Sequence, residues 1–184
     1  RRHSFPTRRS SDLFSLEMNR ESLLEKILVE VARVPNKKVR NGNINDAQMA
    51  RIDYAAAVIE NSPAPIMVDD NLDLTVIQML ASARQMQKSH GIGLVIVDYI
   101  QLMSPEKSSS RQEEVAKISR GLKAMSRALD IPVIAAAQLN RQLETREDKR
   151  PKLSDFRESG ALEQDADVAM FAHRPEKHEP GLKP

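Results

Sequence analysis

The 184 residues contain no cysteine, which removes disulfides, thiolate metal sites and cysteine nucleophiles at once. A chain without disulfides suits a reducing compartment, and a cytoplasmic protein is expected. Aromatics make up 3% of the residues and tryptophan is absent, which argues against binding through a platform of stacked bases. No apolar run approaches the roughly 18 residues that a membrane helix requires, so no membrane partner is expected. The four histidines, His3, His90, His173 and His178, share no metal-ligand spacing. No G-x-x-x-x-G-K-[ST] occurs either, so this chain holds no loop of the kind that cradles nucleotide phosphates.

What is present reads as an ordinary soluble domain, with 40% hydrophobic and 29% charged residues. The net charge of +2 is misleading. It comes from residues 1–13, where four arginines face Asp12 alone; the remainder carries 24 basic and 25 acidic residues. That leader has no helical or strand period and lacks the apolar stretch of a secretory signal. It resembles translated synthetic adapter. We read 1–13 as a non-native, disordered leader, 14–175 as a partial domain beginning inside a strand, and 176–184 as a truncated tail.

Within the domain, strand and helix signals alternate. Phe14-Ser15-Leu16 reads as the end of a strand. Asn19 can cap a helix over 20–34, with Leu23, Leu24, Ile27, Leu28 and Val31 at the helical period. Asn45 and Gln48 stand at capping-box spacing before a helix from Asp46 to Glu60. Pro65 to Asp69 is a short strand, and a helix runs from Thr75 to just before Gly91. Leu94 to Asp98 reads as a strand buried on both faces. After a polar loop, a helix from Gln112 to Leu129 aligns Val115, Ile118, Leu122, Met125 and Leu129. Pro132 to Ala137 reads as another buried strand, and Val168 to Phe171 as a last one. Strands joined by crossover helices predict an α/β fold, a mainly parallel sheet with flanking helices.

In such a sheet, ligands sit beyond the carboxyl ends of the strands. Glu17, Asp69, Asp98 and Gln138 stand there. On the strand alone, an Asp at position 98 is equally read as a Mg²⁺ anchor or as the cap of a following turn. Together, acids and an amide on one margin suit metal-assisted phosphoryl chemistry: one acid holds Mg²⁺ through its waters, and another orients the attacking water.

Phe14-Ser15-Leu16-Glu17-Met18, Val97 to Met103, Gln138-Leu139-Asn140-Arg141 and the block from Asp148 to Asp167 resemble the bacterial replicative DNA helicases of the DnaB family. The resemblance runs from residue 13 to about 175. It implies a RecA-like P-loop NTPase fold, here truncated at both ends, using ATP and Mg²⁺. It also implies a homohexamer around single-stranded DNA that works with replisome proteins. By that resemblance Glu17 activates the hydrolytic water, Asp98 coordinates Mg²⁺ through water, and Gln138 contacts the γ-phosphate. Arg157, Glu158 and Gly160 line the DNA channel, Gly160 because close approach to phosphate leaves no room for a Cβ.

The departures are the missing phosphate loop and the family's trans-acting arginine finger, which is expected beyond Pro184. As written, the chain is expected to bind ATP poorly and to be inactive alone. Alternatives are a non-catalytic DNA-binding or ring-assembly fragment, and a RecA-type recombinase, which the block from Arg157 to Asp167 disfavours. A phosphorylated receiver domain built on Asp69, Asp70 and Asp98 fits poorly, because the next strand ends in Gln138. Of the cations in 139–157, Arg146 and Lys149 read as solvated and Arg157 as a DNA contact. An exposed sheet position predicts aggregation.

Overall fold

The computed structural model describes residues 10–103, 110–140, 143, 145, 146 and 148–174. Strands β1 (Ser10–Ser15), β2 (Ile66–Asp69), β3 (Ile92–Asp98) and β4 (Val133–Ala135) form one sheet in the order β2-β1-β3-β4. Every pairing is parallel, as the alternation of strands and helices predicts. Helices α1 (Arg20–Ala32), α2 (Asn36–Arg40) and α3 (Asp46–Glu60) connect β1 to β2. Helix α4 (Val76–His90) carries the chain past β1 to β3, and α5 (Arg111–Leu129) joins β3 to β4. A 3-10 segment, Leu153–Ser159, leads into the short helix α6 (Gly160–Asp165).

Local chemistry sets the helix ends. The Asn45 side chain accepts from the Gln48 N–H at 2.9 Å while Gln48 accepts from the Asn45 N–H at 3.2 Å. Each side chain thereby satisfies a backbone donor that the first turn leaves without a partner. Thr75 and Gln78 repeat this box on α4, and α4 stops at Gly91, whose φ of 66° is open to glycine at little steric cost. On α5 the predicted stripe Val115, Ile118, Leu122, Met125 and Leu129 is buried throughout. It packs with α4 and the sheet into a single core around Phe14, Met79, Val95, Val97 and Ile100. Gly121 lets the two helices close up: a Cβ there would lie 2.8 Å from Val76 Cγ1. Helices α1 to α3 enclose a much smaller cluster of Ala32, Val34 and Ala55.

Four expectations change. Ser10–Leu13, assigned from sequence to a disordered leader, form the first part of the central strand and pair with both neighbours. The ladder joins peptide groups, which serine and aspartate supply as well as valine does, so the polar side chains hid the strand. Leu94 and Ile96 on β3 are only half-buried, so the strand is not sealed on both faces. Strand β4 is shorter than Pro132–Ala137 and exposed at Ile134 and Ala135, because it lies at the sheet edge. Val168–Phe171 forms no strand; Val168 and Met170 are 75% and 77% exposed, and no strand lies beyond β4 among the described residues. The short helix α2 was not foreseen. Residues 1–9, the polar loop 104–109 and the tail 175–184 lie outside the described residues.

Candidate functional site

Four parallel strands deliver their carboxyl ends to one margin of the sheet. Ser15 and Asp98 are register partners on β1 and β3. Just past that pair, the Leu16 N–H donates to the Asp98 carbonyl at 2.7 Å. Glu17 follows directly and is exposed, while Asp98 is half-buried. The peptide bond from Asp98 to Tyr99 is cis. On the other side of β3, the Ala136 N–H donates to the Val97 carbonyl at 2.9 Å, and the Ile100 N–H to the Ala136 carbonyl at 3.1 Å. Gln138 is the next but one residue. Glu17, Asp98 and Gln138 thus stand on three neighbouring lines of the sheet.

The other acids on this margin are occupied. Asp69 accepts from the Asn71 N–H at 3.1 Å and from the Ser82 hydroxyl at 3.4 Å. Asp70 accepts from the Arg20 N–H at 2.9 Å, which, with the Arg20 charge, holds its carboxyl below the usual range. A cleft of about 480 Å³ opens beside Glu17, walled also by Asn19, Ser22, Lys26, Arg40 and Asp70. Asp98 and Gln138 lie outside that wall.

Among the described residues no three acids or histidines gather to hold a metal by themselves. A single carboxylate such as Asp98 matches the donor set Mg²⁺ accepts, since that ion keeps several waters. The triphosphate of a nucleotide finds no glycine-rich cradle in the sequence.

The segment after Gln138 is tied to the 3-10 segment. Asn140 N–H donates to the Asp155 carbonyl at 3.3 Å. Arg146 grips the Asp155 carboxylate with both terminal nitrogens, at 2.9 and 3.1 Å, and donates to the carbonyls of Asp148 and Arg150, each at 2.8 Å. The Lys152 N–H adds a bond to Asp155 at 2.7 Å. Arg146, above all, and this N–H keep the Asp155 carboxyl below its usual range. The reading of Arg146 as a solvated cation is therefore replaced by a structural one. Arg157 and Glu158 lie in the 3-10 segment, and Gly160 opens α6 with ordinary helical angles. A Cβ on Gly160 would meet nothing within 4 Å.

The model of the DnaB-like helicase C-terminal domain matches residues 3–183. The chain belongs to that family. It is 42% identical over 174 residues to the replicative DNA helicase DnaB of Mycobacterium leprae, covering 94% of this chain and 28% of that protein. A solved ATPase domain superposes with a TM-score of 0.88 at 36% identity, covering 95% of this chain and 63% of that one. A DnaB-like replicative helicase, solved in a study of its interactions with primase, gives a TM-score of 0.89 at 35% identity over 96% and 43%. The fold is therefore that of the RecA-like ATPase domains of DnaB-type helicases. The chain spans less than a third of the Mycobacterium leprae relative's length.

Two residues of this DnaB-like domain escaped sequence reasoning. Gln101 sits inside a recognised motif without a role, yet its side chain holds the Gln138 peptide. Arg146 lies in a charged run where nothing in the spacing marks Asp155, nine residues on, as its partner. For Gln101 the available signal was a long amide inside the turn, three residues past the end of the strand.

Proposed function

We propose that this domain is the motor of an ATP-dependent replicative DNA helicase. It couples ATP hydrolysis to movement along single-stranded DNA and to duplex unwinding. The observation that carries the reading is the gathering of Glu17, Asp98 and Gln138 at one margin of a parallel sheet. Asp98, half-buried at the end of β3, is suited to hold Mg²⁺ through water. Bound MgATP would supply the scissile phosphoanhydride, and the metal would offset the charge that develops on the phosphates. Exposed Glu17 orients and deprotonates the attacking water, and Gln138 meets the γ-phosphate. Arg157, Glu158 and Gly160 belong to the segment that meets the DNA backbone.

The working assembly is a homohexamer in the cytoplasm, acting with the other replisome proteins. As a separate polypeptide without a phosphate cradle, the chain hydrolyses ATP at background rate. Electrostatics gives the test of the DNA-facing half. Fluorescence anisotropy with an oligo-dT strand should show affinity falling steeply as salt rises, and Arg157→Ala should lower the log–log slope by about 0.7. A flat salt dependence, or an Arg157→Ala curve that overlays the wild type, would remove the DNA assignment. ATP turnover by the isolated chain near that of an intact replicative helicase would overturn the role given to the missing cradle.

A further inference from the structure

The β3–β4 ladder does not stop where the strands do. Main-chain rungs join Ala136 to Val97 and to Ile100. Beyond Ile100 the chain turns into the 3-10 segment Ile100–Leu102 and its peptide groups leave the ladder. At the next rung position on the β4 side, two residues after Ala136, a side chain takes over. Gln101 Nε2 donates to the Gln138 carbonyl at 3.1 Å, and the Gln138 N–H donates to Gln101 Oε1 at 3.2 Å. One carboxamide supplies donor and acceptor in a single plane, as a peptide in a neighbouring strand does. The clamp is itself held: Arg111 Nη2 donates to the Gln101 carbonyl, and Arg111 pairs with Glu114 at 2.9 Å.

We propose that Gln101 is a positioning residue, whose carboxamide fixes the Gln138 peptide beside the Asp98 strand end. The γ-phosphate contact then starts from a set place. The proposal rests on the reading of Gln138 given above and deepens it. Three side chains divide the work: Asp98 anchors the metal, Gln138 reads the phosphate, and Gln101 locks the spacing between their strands. Only glutamine does both halves. Alanine removes the clamp, whereas glutamate keeps the acceptor for the Gln138 N–H and loses the donor to its carbonyl.

Residue-resolved amide exchange of the full chain, without nucleotide, tests this. Gln101→Ala should speed Gln138 exchange roughly five- to tenfold, with the amides of Ala136 and Ile100 unchanged. Gln101→Glu keeps the acceptor but sets a carboxylate oxygen against the Gln138 carbonyl, so it should restore only part of the Gln138 protection. Unaltered Gln138 exchange in Gln101→Ala overturns the clamp. An equal rise at Ala136 overturns it too, since Gln101 would then support the strand edge generally. The sensor assignment fails differently: Gln138→Ala in an intact DnaB-type helicase carrying this domain would leave ATP turnover as in the wild type while the exchange pattern stood, and the purpose of the clamp would be lost.

Discussion

On one face of the sheet the rows Met67–Asp12–Val95–Val133 and Asp69–Phe14–Val97–Ala135 lie on the side packed by α4 and α5. On the other face runs the row Val68–Leu13–Ile96–Ile134, as apolar as any in the molecule. Phe14, Val95 and Val97 are fully buried, whereas Leu13 and Ile96 are half-exposed and Ile134 is 43% exposed. The residues on the second face are those of a sheet covered on both sides. The difference shows that side-chain pattern records what a face is suited to, while burial records what this chain puts there.

Truncation should separate the faces most sharply. Phe14→Ala should lower stability by about 3–5 kcal/mol, against less than about 2 kcal/mol for Ile96→Ala, both from urea unfolding. Equal losses would break the comparison and mean that the second face is sealed.

Asp12 is the fully buried acid on the covered face. It is 1% exposed between Met67 and Val95, and its Oδ2 has no hydrogen-bond partner. Burial first, and the Asp69 charge second, push its pKa to about 6. The folded state thus prefers the protonated carboxyl more than the unfolded chain does, whose aspartate titrates at ~3.9. Its penalty is complete above about pH 6 and fades as pH falls towards ~4. Asp12→Val should raise stability at pH 7 by on the order of 3 kcal/mol, and the gain should vanish near pH 4. The lowered carboxyls of Asp70, Asp148, Asp155 and Asp167 act in the opposite sense. Comparing variant with wild type at each pH cancels them. A gain independent of pH would show that packing, not charge, sets the effect.

The smallest expected effect lies between the covering helices. Gly121→Ala should cost about 1–3 kcal/mol through the clash with Val76, measured as a shift in the unfolding midpoint without a change in slope. A neutral result would mean that α4 and α5 slide apart freely.

Much of this was legible in the sequence. The capping boxes at Asn45 and Thr75 and the α5 stripe follow from spacing alone, because a helix makes its contacts locally. The strand-end positions of Glu17 and Asp98 follow from apolar runs that stop at a carboxylate. Ser10–Leu13 were not legible as a strand, since main-chain pairing to distant segments leaves no mark on polar side chains. Nor were the half-exposure of Ile96 or the exposure of Ile134 and Ala135 on β4, which depend on neighbours a local pattern cannot count. Gln101 and Arg146 act through partners 37 and nine residues away, and long polar side chains look alike whether clamped or solvated.

The Arg146–Asp155 knot has a further consequence. It ties the carbonyls of Asp148 and Arg150 and the Asp155 carboxylate to one guanidinium, which also holds the Asp155 carboxyl below its usual range. On the DNA-binding role proposed above, the stretch from Asp148 to Asp155 enters the encounter already cross-linked, so little of the attraction is consumed in ordering it.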